Sequence, residues 1–131
     1  MRTLEWKGVG CVNRYLKIEA LDERNPGNGN CCYRIEPNTE DKYSLFDDSC
    51  SIGGGIALQF QNGSPEEVRI NGITNEALMA IIIDRMQGFQ AGPYACRENA
   101  IALTHMETAL MWLEKRTIER EGRGVEGKYE K

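Results

Sequence analysis

The pattern of apolar and polar positions divides the chain into two halves that meet near residue 70. From Arg2 to Ile70, short apolar segments alternate with turn residues, which is typical of β-strands. Loop-forming stretches occur at residues 22–30 and 53–55, where the sequence reads DERNPGNGN and GGG. We therefore expect residues 1–70 to form a small antiparallel sheet. The candidate strands are TLEWKGVGCV, YLKIEAL, CCYRIE, YSLF and IALQF.

The second half has the pattern of a helical hairpin. Thr74 is a good N-cap, and the helix formers that follow it meet no breaker before Gly88. A second helix is expected to begin at Pro93, because proline is favoured at the first helical position. The predicted helices are residues 74–88 and 93–121.

The two halves predict an α+β fold in one structural domain. A small N-terminal antiparallel β-sheet is followed by a C-terminal antiparallel helical hairpin with one long helix, assigned to residues 71–122. Residues 123–131 are polar and rich in glycine, so we expect this tail to be flexible and to fray.

The long helix carries two apolar stripes, although a helix on the surface of a single chain needs only one. Packing of the second stripe against the sheet is one interpretation. We favour a self-complementary subunit interface, as in most symmetric oligomers. At 100° per residue, the first stripe is Asn99, Leu103, Met106, Leu110, Leu113 and Thr117, and the second is Ile101, His105, Thr108 and Trp112.

The charge of the chain argues against a nucleic acid polymer as a partner. Its formal net charge is -4, and no run of lysine or arginine forms a basic stripe. No apolar run is long enough to span a membrane and no charged-then-apolar leader follows Met1, so we expect a cytoplasmic protein. A phosphate-bearing ligand would have to be held by a few local cations.

Few residues suit catalysis or metal binding, so we expect no enzyme activity, no metal and no cofactor. The lone His105 cannot complete a common zinc set, and it stands about 13 Å along one helix from Cys96, too far for a nucleophile–base pair. GVGCVN at residues 8–13 lacks the third glycine of a dinucleotide-binding loop. The cysteines have no CxxC spacing, and we expect reduced thiols buried as small apolar groups. They are Cys11, Cys31, Cys32, Cys50 and Cys96.

Three arginines on the helices have two interpretations each. Arg116 and Arg120 are one turn apart and would clamp a phosphate if their side chains converge, whereas a solvated face is the alternative. Arg85 lies inside the apolar arc of the first helix, where a salt bridge is the alternative to ligand contact. Lys115 and Glu119 are spaced for an ordinary helical ion pair.

Residues 71–127 resemble the hairpin of the phage Thoeris anti-defence sponges. The resemblance lies in the short segments GF, CREN, ALTH, ALMWL, KRT and GVEG, in that order along the hairpin. The anti-CBASS sponges are similar in a more distant form. Residues 1–70 correspond only loosely, as the strand-rich half that precedes the hairpin.

This resemblance implies a function. Members of the family sequester the cyclic signalling nucleotides of bacterial immune systems, in the host cytoplasm during infection, without degrading them. Their ligands include cyclic ADP-ribose isomers of the gcADPR type, and some members bind cyclic di- or trinucleotides at a separate site. The alternatives for this chain are a small cyclic-nucleotide hydrolase and an inhibitor that binds a host defence protein directly.

The resemblance also implies ligand-binding residues. It carries the family's pocket onto Phe89, Asn99, Arg116 and Arg120, and Arg97 lies in the same helical turn as Asn99. An aromatic ring can stack on a purine, an asparagine amide both donates and accepts, and arginines bind pyrophosphate through paired hydrogen bonds. Free N–H groups at the start of the long helix add a feature that favours anions.

The length of the long helix limits how these residues can meet. Asn99 and Arg116 are separated by about 25 Å along the helix axis, more than a cyclic ADP-ribose can span. They can share a ligand only if they come from different chains, so we expect a homodimer with pockets between subunits, or a hexamer. The turn at residues 88–93 or the tail is expected to close over the ligand.

Overall fold

The computed structural model describes residues 1–37 and 55–128, and the chain divides into two compact units. The first contains Met1–Asn62 and Ile70–Gly72, and the second contains Gly63–Arg69 and the residues from Ile73 onward. An antiparallel sheet precedes the helices along the chain, so the predicted α+β fold is confirmed.

Among the described residues of the first unit, four strands form an antiparallel sheet in the order β1-β2-β3-β4. YLKIEAL, CCYRIE and IALQF form strands as predicted, whereas in TLEWKGVGCV only Thr3 belongs to a strand, the two-residue β1. The predicted strand YSLF, Cys50 and residues 53–54 lie outside the described residues. The strands are β1 (Arg2–Thr3), β2 (Leu16–Ala20), β3 (Cys32–Pro37) and β4 (Ile56–Gln59).

Alternation along β2 and β3 separates a charged face of the sheet from an apolar one. On the charged face, Lys17 Nζ lies 3.0 Å from Glu19 Oε1 and 3.0 Å from Glu36 Oε1, and these hydrogen bonds raise the pKa of Lys17. On the apolar face, the ring of Tyr33 meets the ring of Phe60 edge-on, with centroids 5.8 Å apart. The apolar face carries Leu16, Ile18, Ala20, Tyr33, Ile35 and Pro37.

The connection between β2 and β3 is closed by the carboxylate of Asp22. Its oxygens accept hydrogen bonds from the backbone N–H of Cys31 at 2.9 Å and of Cys32 at 3.1 Å. Asn30 Nδ2 donates to the backbone oxygen of Asp22 at 2.6 Å. The hydrogen bond from Cys31, followed by that from Cys32, holds the pKa of Asp22 below its usual value. The stretch predicted as a flexible loop is therefore a turn with defined hydrogen bonds.

Four cysteines are described, and all four are free thiols, as predicted. Cys31 is buried and Cys32 is half-buried, and burial raises the pKa of the Cys32 thiol. Cys11 and Cys96 are exposed, so the expectation of a buried thiol is wrong for these two. Cys96 is instead the residue at which the long helix begins, as described below.

The second unit contains three helices. The first is a single turn, α1, that the sequence pattern did not predict; Pro65 stands at its first position, and the Ser64 hydroxyl accepts from the N–H of Glu66 at 3.3 Å. Thr74 is the N-cap of the next helix as predicted, because its Oγ1 accepts from the N–H of Ala77 at 3.0 Å. The helices are α1 (Pro65–Val68), α2 (Asn75–Gln90) and α3 (Arg97–Gly122).

Both predicted boundaries at the hairpin turn are wrong. α2 continues through Gly88, because a helical glycine costs only about 1 kcal/mol relative to alanine and nothing else ends the helix there. α3 begins at Arg97 and not at Pro93, because the extended backbone at Cys96 makes Cys96 the N-cap. Pro93 lies within the turn that connects the helices.

The two long helices pack along one stripe of each. All six residues of the first predicted stripe of α3 are half-buried, and on α2 the less exposed positions follow the same spacing, with Ile83 buried. The second predicted stripe of α3 is exposed along its whole length. Large apolar side chains on or beside it remain open to solvent: Met111 is 66% exposed, Trp112 is 65% exposed and Ile118 is 67% exposed. The chain by itself therefore covers only one of the two apolar faces.

Replacing Asp22 with asparagine is expected to destabilise the protein near pH 7, because one accepting carboxylate oxygen becomes an NH2 group that faces a donor. The folded pKa of Asp22 lies below its unfolded value of about 3.9, so the stabilisation is complete above that pH and is lost as the pH falls through the folded pKa. Urea unfolding should show that the two proteins differ at neutral pH and converge in acid. Glu23→Gln, an exposed neighbour, is the control; a difference that does not change with pH would contradict this role for Asp22.

Candidate functional site

The predicted ligand-binding residues lie at two opposite ends of the hairpin. Phe89 is at the C-terminal end of α2, and Arg97 and Asn99 are in the first turn of α3. Arg116 and Arg120 are in the last two turns of α3, which is one continuous helix. At 1.5 Å per residue, about 25 Å separates Asn99 from Arg116. One chain brings together the first three residues and keeps the two arginines away from them.

Phe89 has a defined position at the turn end of the hairpin. The guanidinium carbon of Arg85 lies 5.2 Å from the centroid of its ring, which is the geometry of a cation–π contact. Arg85 is exposed, and its aromatic partner replaces the salt bridge that was one of its two interpretations. Phe89 is 37% exposed, so part of the residue is open to solvent.

The turn between α2 and α3 is closed by the side chain of Gln90, which sequence reasoning missed. Gln90 Nε2 donates to the backbone oxygen of Cys96 at 3.1 Å, and Gln90 Oε1 accepts from the backbone N–H of Cys96 at 3.1 Å. The carboxamide thus pairs with one residue as a neighbouring strand would. No sequence pattern predicts such a contact, because a glutamine at the end of a helix is usually an ordinary surface residue.

The first turn of α3 is capped by a thiol. Cys96 Sγ accepts from the N–H of Asn99 at 3.5 Å, a weak acceptor in the place where serine or aspartate usually stands. Arg97 is exposed and Asn99 is half-buried, so both side chains border the positive end of the helix dipole. His105 lies two turns further along α3 and is exposed, which keeps it about 13 Å from Cys96 as expected.

Arg116 and Arg120 do not share one environment, although they are one turn apart. Arg116 is exposed, whereas Arg120 is only 6% exposed. Arg120 Nη2 donates to the backbone oxygens of Val125 and Lys128, each at 2.7 Å. In the structure, the side chains of Arg116 and Arg120 therefore do not converge on one point where a phosphate could bind both.

Residues 123–128, part of the tail that was expected to fray, fold back onto α3 in the structure. Gly124 and Gly127 have positive φ angles of 73° and 77°, which let the chain reverse without a side-chain clash. The N–H of Val125 donates to the backbone oxygen of Arg120 at 3.0 Å. Gly127 also approaches the ring of Pro65 in α1, where a Cβ on the glycine would meet Pro65 Cδ at 3.0 Å.

The tail carbonyls limit how Arg120 can bind an anion. A guanidinium binds a phosphate bidentately through Nη2 together with either Nη1 or Nε–H, so both modes require Nη2. Two carbonyl oxygens already accept from Nη2 of Arg120. Arg120 could therefore form paired hydrogen bonds to a ligand only if at least one of the hydrogen bonds from Nη2 to the tail carbonyls were broken.

A shallow apolar groove lies beside the exposed stripe of α3, near the C-terminal end of the helix. Lys115 crosses the groove, with Nζ 2.6 Å from Glu119 Oε1 as the predicted ion pair and 5.7 Å from the centroid of the Trp112 ring. The hydrogen bond from Lys115 lowers the pKa of Glu119. The groove is lined by Met111, Glu114, Lys115, Ile118 and Glu119.

Within residues 1–37 and 55–128, no three side chains of histidine, cysteine, aspartate or glutamate gather closely enough to hold a metal ion. None of the helices in these same ranges combines the length and the apolar character that crossing a membrane requires.

Comparison with known proteins identifies the hairpin. Residues 55–117 match the family model described as "Acb2/Tad1, hairpin domain". The curated protein "Thoeris anti-defense 1" of Bacillus phage SBSphiJ7 is 55% identical to the chain over 74 residues, which are 56% of this chain and 52% of that protein. The match thus spans about half the length of the relative. The residues that match the family model end at Thr117, so they include Arg116 and not Arg120 or the tail.

Replacing Arg120 with alanine is expected to lower the free energy of unfolding by about 1–3 kcal/mol, because the buried guanidinium and its two hydrogen bonds to carbonyl oxygens of the tail are lost. Arg116→Ala, exposed and one turn away, is the matched control and should change it by less than about 0.5 kcal/mol. Urea unfolding at one protein concentration measures both, and carboxypeptidase should remove residues 123–128 faster from Arg120→Ala. Equal stability and equal digestion in the two variants would contradict the anchoring role of Arg120.

Proposed function

We propose that this chain, whose residues 55–117 match the Acb2/Tad1 hairpin domain, is a phage anti-defence protein that binds and sequesters cyclic ADP-ribose-type immune signals without degrading them. In the host cytoplasm, the captured signal cannot reach the effector of the Thoeris system. The observation that carries the proposal is the family's hairpin itself, with Phe89, Arg97 and Asn99 held together at its turn end.

The chemistry of these residues suits a cyclic ADP-ribose isomer. The Phe89 ring stacks on the adenine, and the amide of Asn99 recognises polar edges by donating and accepting. The pyrophosphate carries the ligand's negative charge, and an exposed arginine such as Arg116 binds it through two parallel hydrogen bonds. A protein that outcompetes an effector's sensor needs a dissociation constant near 1 nM, on the order of -12 kcal/mol.

A second copy of the chain completes the pocket. The distance of about 25 Å between the two ends of α3 prevents one hairpin from surrounding the ligand. In an antiparallel pair of α3 helices that cross at their midpoints, Ile101 faces Ile118 of the second copy and Thr108 faces Met111 of the second copy. The exposed stripe is thereby covered, and the turn end of one hairpin lies level with the arginines of the other. The result is a homodimer with two equivalent pockets, and association of such dimers gives a hexamer.

Cyclic di- and trinucleotides are the second ligand class in this proposal. They join two or three nucleotides through separate phosphodiester groups, where a cyclic ADP-ribose has one pyrophosphate, so a separate site would hold them. The exposed stripe of α3 also favours one alternative, an inhibitor that binds a host defence protein directly, because a foreign helix could cover the same apolar side chains.

Calorimetry against cyclic ADP-ribose isomers and cyclic di- and trinucleotides is expected to show tight binding of one ligand class. Asn99→Ala and Phe89→Ala should each weaken it at least about 100-fold, because a stacked ring and a buried amide contact are lost. Glu107→Ala, exposed at mid-helix, is the control for general damage. Heat denaturation of the complex should return the ligand intact. A hydrolysed product would favour the hydrolase, and a stoichiometric host protein partner without any nucleotide binding would favour the direct inhibitor.

The composite pocket makes a sharper prediction for mixed dimers. Asn99→Ala and Arg116→Ala homodimers should both fail to bind, since each lacks one half of every pocket. A heterodimer of the two variants, purified with two different tags, has one pocket that carries both defects and one that carries none. It should bind about half of the wild-type amount of ligand with wild-type affinity. Complete failure of the heterodimer would mean that both residues act within one chain.

A further inference from the structure

We propose that Gln90 is a positioning residue of the ligand pocket, a role that rests on the proposed function above. Gln90 is the last residue of α2, and its carboxamide is bound to the N-cap residue of α3. It is flanked by the two groups assigned to the ligand, because Phe89 precedes it and Asn99 follows Cys96 by one helical turn. The paired hydrogen bonds between Gln90 and Cys96, called the clamp below, therefore set the spacing between the Phe89 ring, which stacks on the ligand, and the Asn99 amide, which recognises it.

The clamp joins the two helices directly. The two hydrogen bonds between Gln90 and Cys96 are both 3.1 Å long and together form a closed ring. Backbone hydrogen bonds within the turn connect residues only three apart, from Gly92 to Phe89 at 3.2 Å and from Ala95 to Gly92 at 3.3 Å. Those bonds shape the turn, and the Gln90 carboxamide ties its beginning to its end.

A turn that is already ordered before binding loses little conformational entropy when the ligand arrives. The turn has the composition of a mobile loop, with Gly92 and exposed Tyr94 near its tip. Without the clamp, the ligand would have to order these residues at the cost of its own affinity. The turn end of the hairpin is accordingly a rigid half of the pocket. This half can bind the ligand without residues 88–93 closing over it as a lid.

The test variant is Gln90→Met, which keeps the length and volume of the side chain and removes both hydrogen bonds. Gln87→Met, exposed and one turn earlier on α2, is the matched control. With cyclic ADP-ribose and its glycosidic isomers as probes, stopped-flow measurement should show the ligand leaving Gln90→Met about 10-fold faster or more, and leaving Gln87→Met at the wild-type rate.

A second substitution separates positioning from general stability. Gly92 does not adopt a left-handed backbone, and a Cβ built there makes only an ordinary contact, 3.5 Å from the oxygen of Gly88. Gly92→Ala should therefore restrict the free turn and recover part of the slow release when it is added to Gln90→Met. A purely structural role for Gln90 would change the melting temperature without this recovery.

The outcomes distinguish the two proposals. If the wild-type protein binds no member of the ligand panel, the proposed function fails and the role of Gln90 fails with it. If the wild type binds and Gln90→Met releases ligand at the wild-type rate, only the role of Gln90 is overturned. Should Gln90→Met unfold, Gln90→Glu decides, because it keeps the acceptor for Cys96 N–H and loses the donor to Cys96 oxygen. Intermediate release supports the clamp, and unchanged release overturns it.

Discussion

The packing of α2 against one stripe of α3 is the interaction on which the candidate site depends. It uses a repeat of three and four residues on both helices, with Ile83 as its most buried side chain. α3 is one continuous helix of 26 residues, and its packing against α2 holds the start of α3 beside the end of α2. It also fixes which stripe of α3 remains uncovered. The position of Phe89 next to the first turn of α3, and the exposure of Trp112, are two consequences of the same packed seam.

A straight helix of that length is about 39 Å long, so residues at its two ends cannot touch one small ligand. The candidate ligand-binding residues of each chain therefore form two separate groups of different character. The turn end is held by Gln90 and carries the ring, the amide and the helix N-terminus. The far end carries an exposed Arg116 and a buried Arg120 that holds the tail. An antiparallel second copy would bring unlike halves together and cover the apolar stripe at the same time.

Features that depend on periodicity could be predicted from the sequence, and features that depend on one side chain meeting a distant backbone could not. The β2 and β3 strands and the two faces of α3 follow from spacing alone, and the Thr74 cap follows from residue type. Local preference suggested Pro93 as a helix start, but the hydrogen bonds between Gln90 and Cys96 accompany a later start at Arg97. The tail was expected to fray because of its glycines, yet the same glycines let it fold back onto Arg120.

The difference between Arg116 and Arg120 also bears on how the proposed pocket forms. Spacing alone made them equivalent, since both can contribute a guanidinium to a pyrophosphate. Burial separates them, because Arg116 needs no rearrangement to meet an anion, whereas Arg120 must first exchange carbonyl oxygens for phosphate oxygens. In the proposed complex, Arg116 supplies the first contact with the phosphates, and any contact from Arg120 is coupled to movement of the tail.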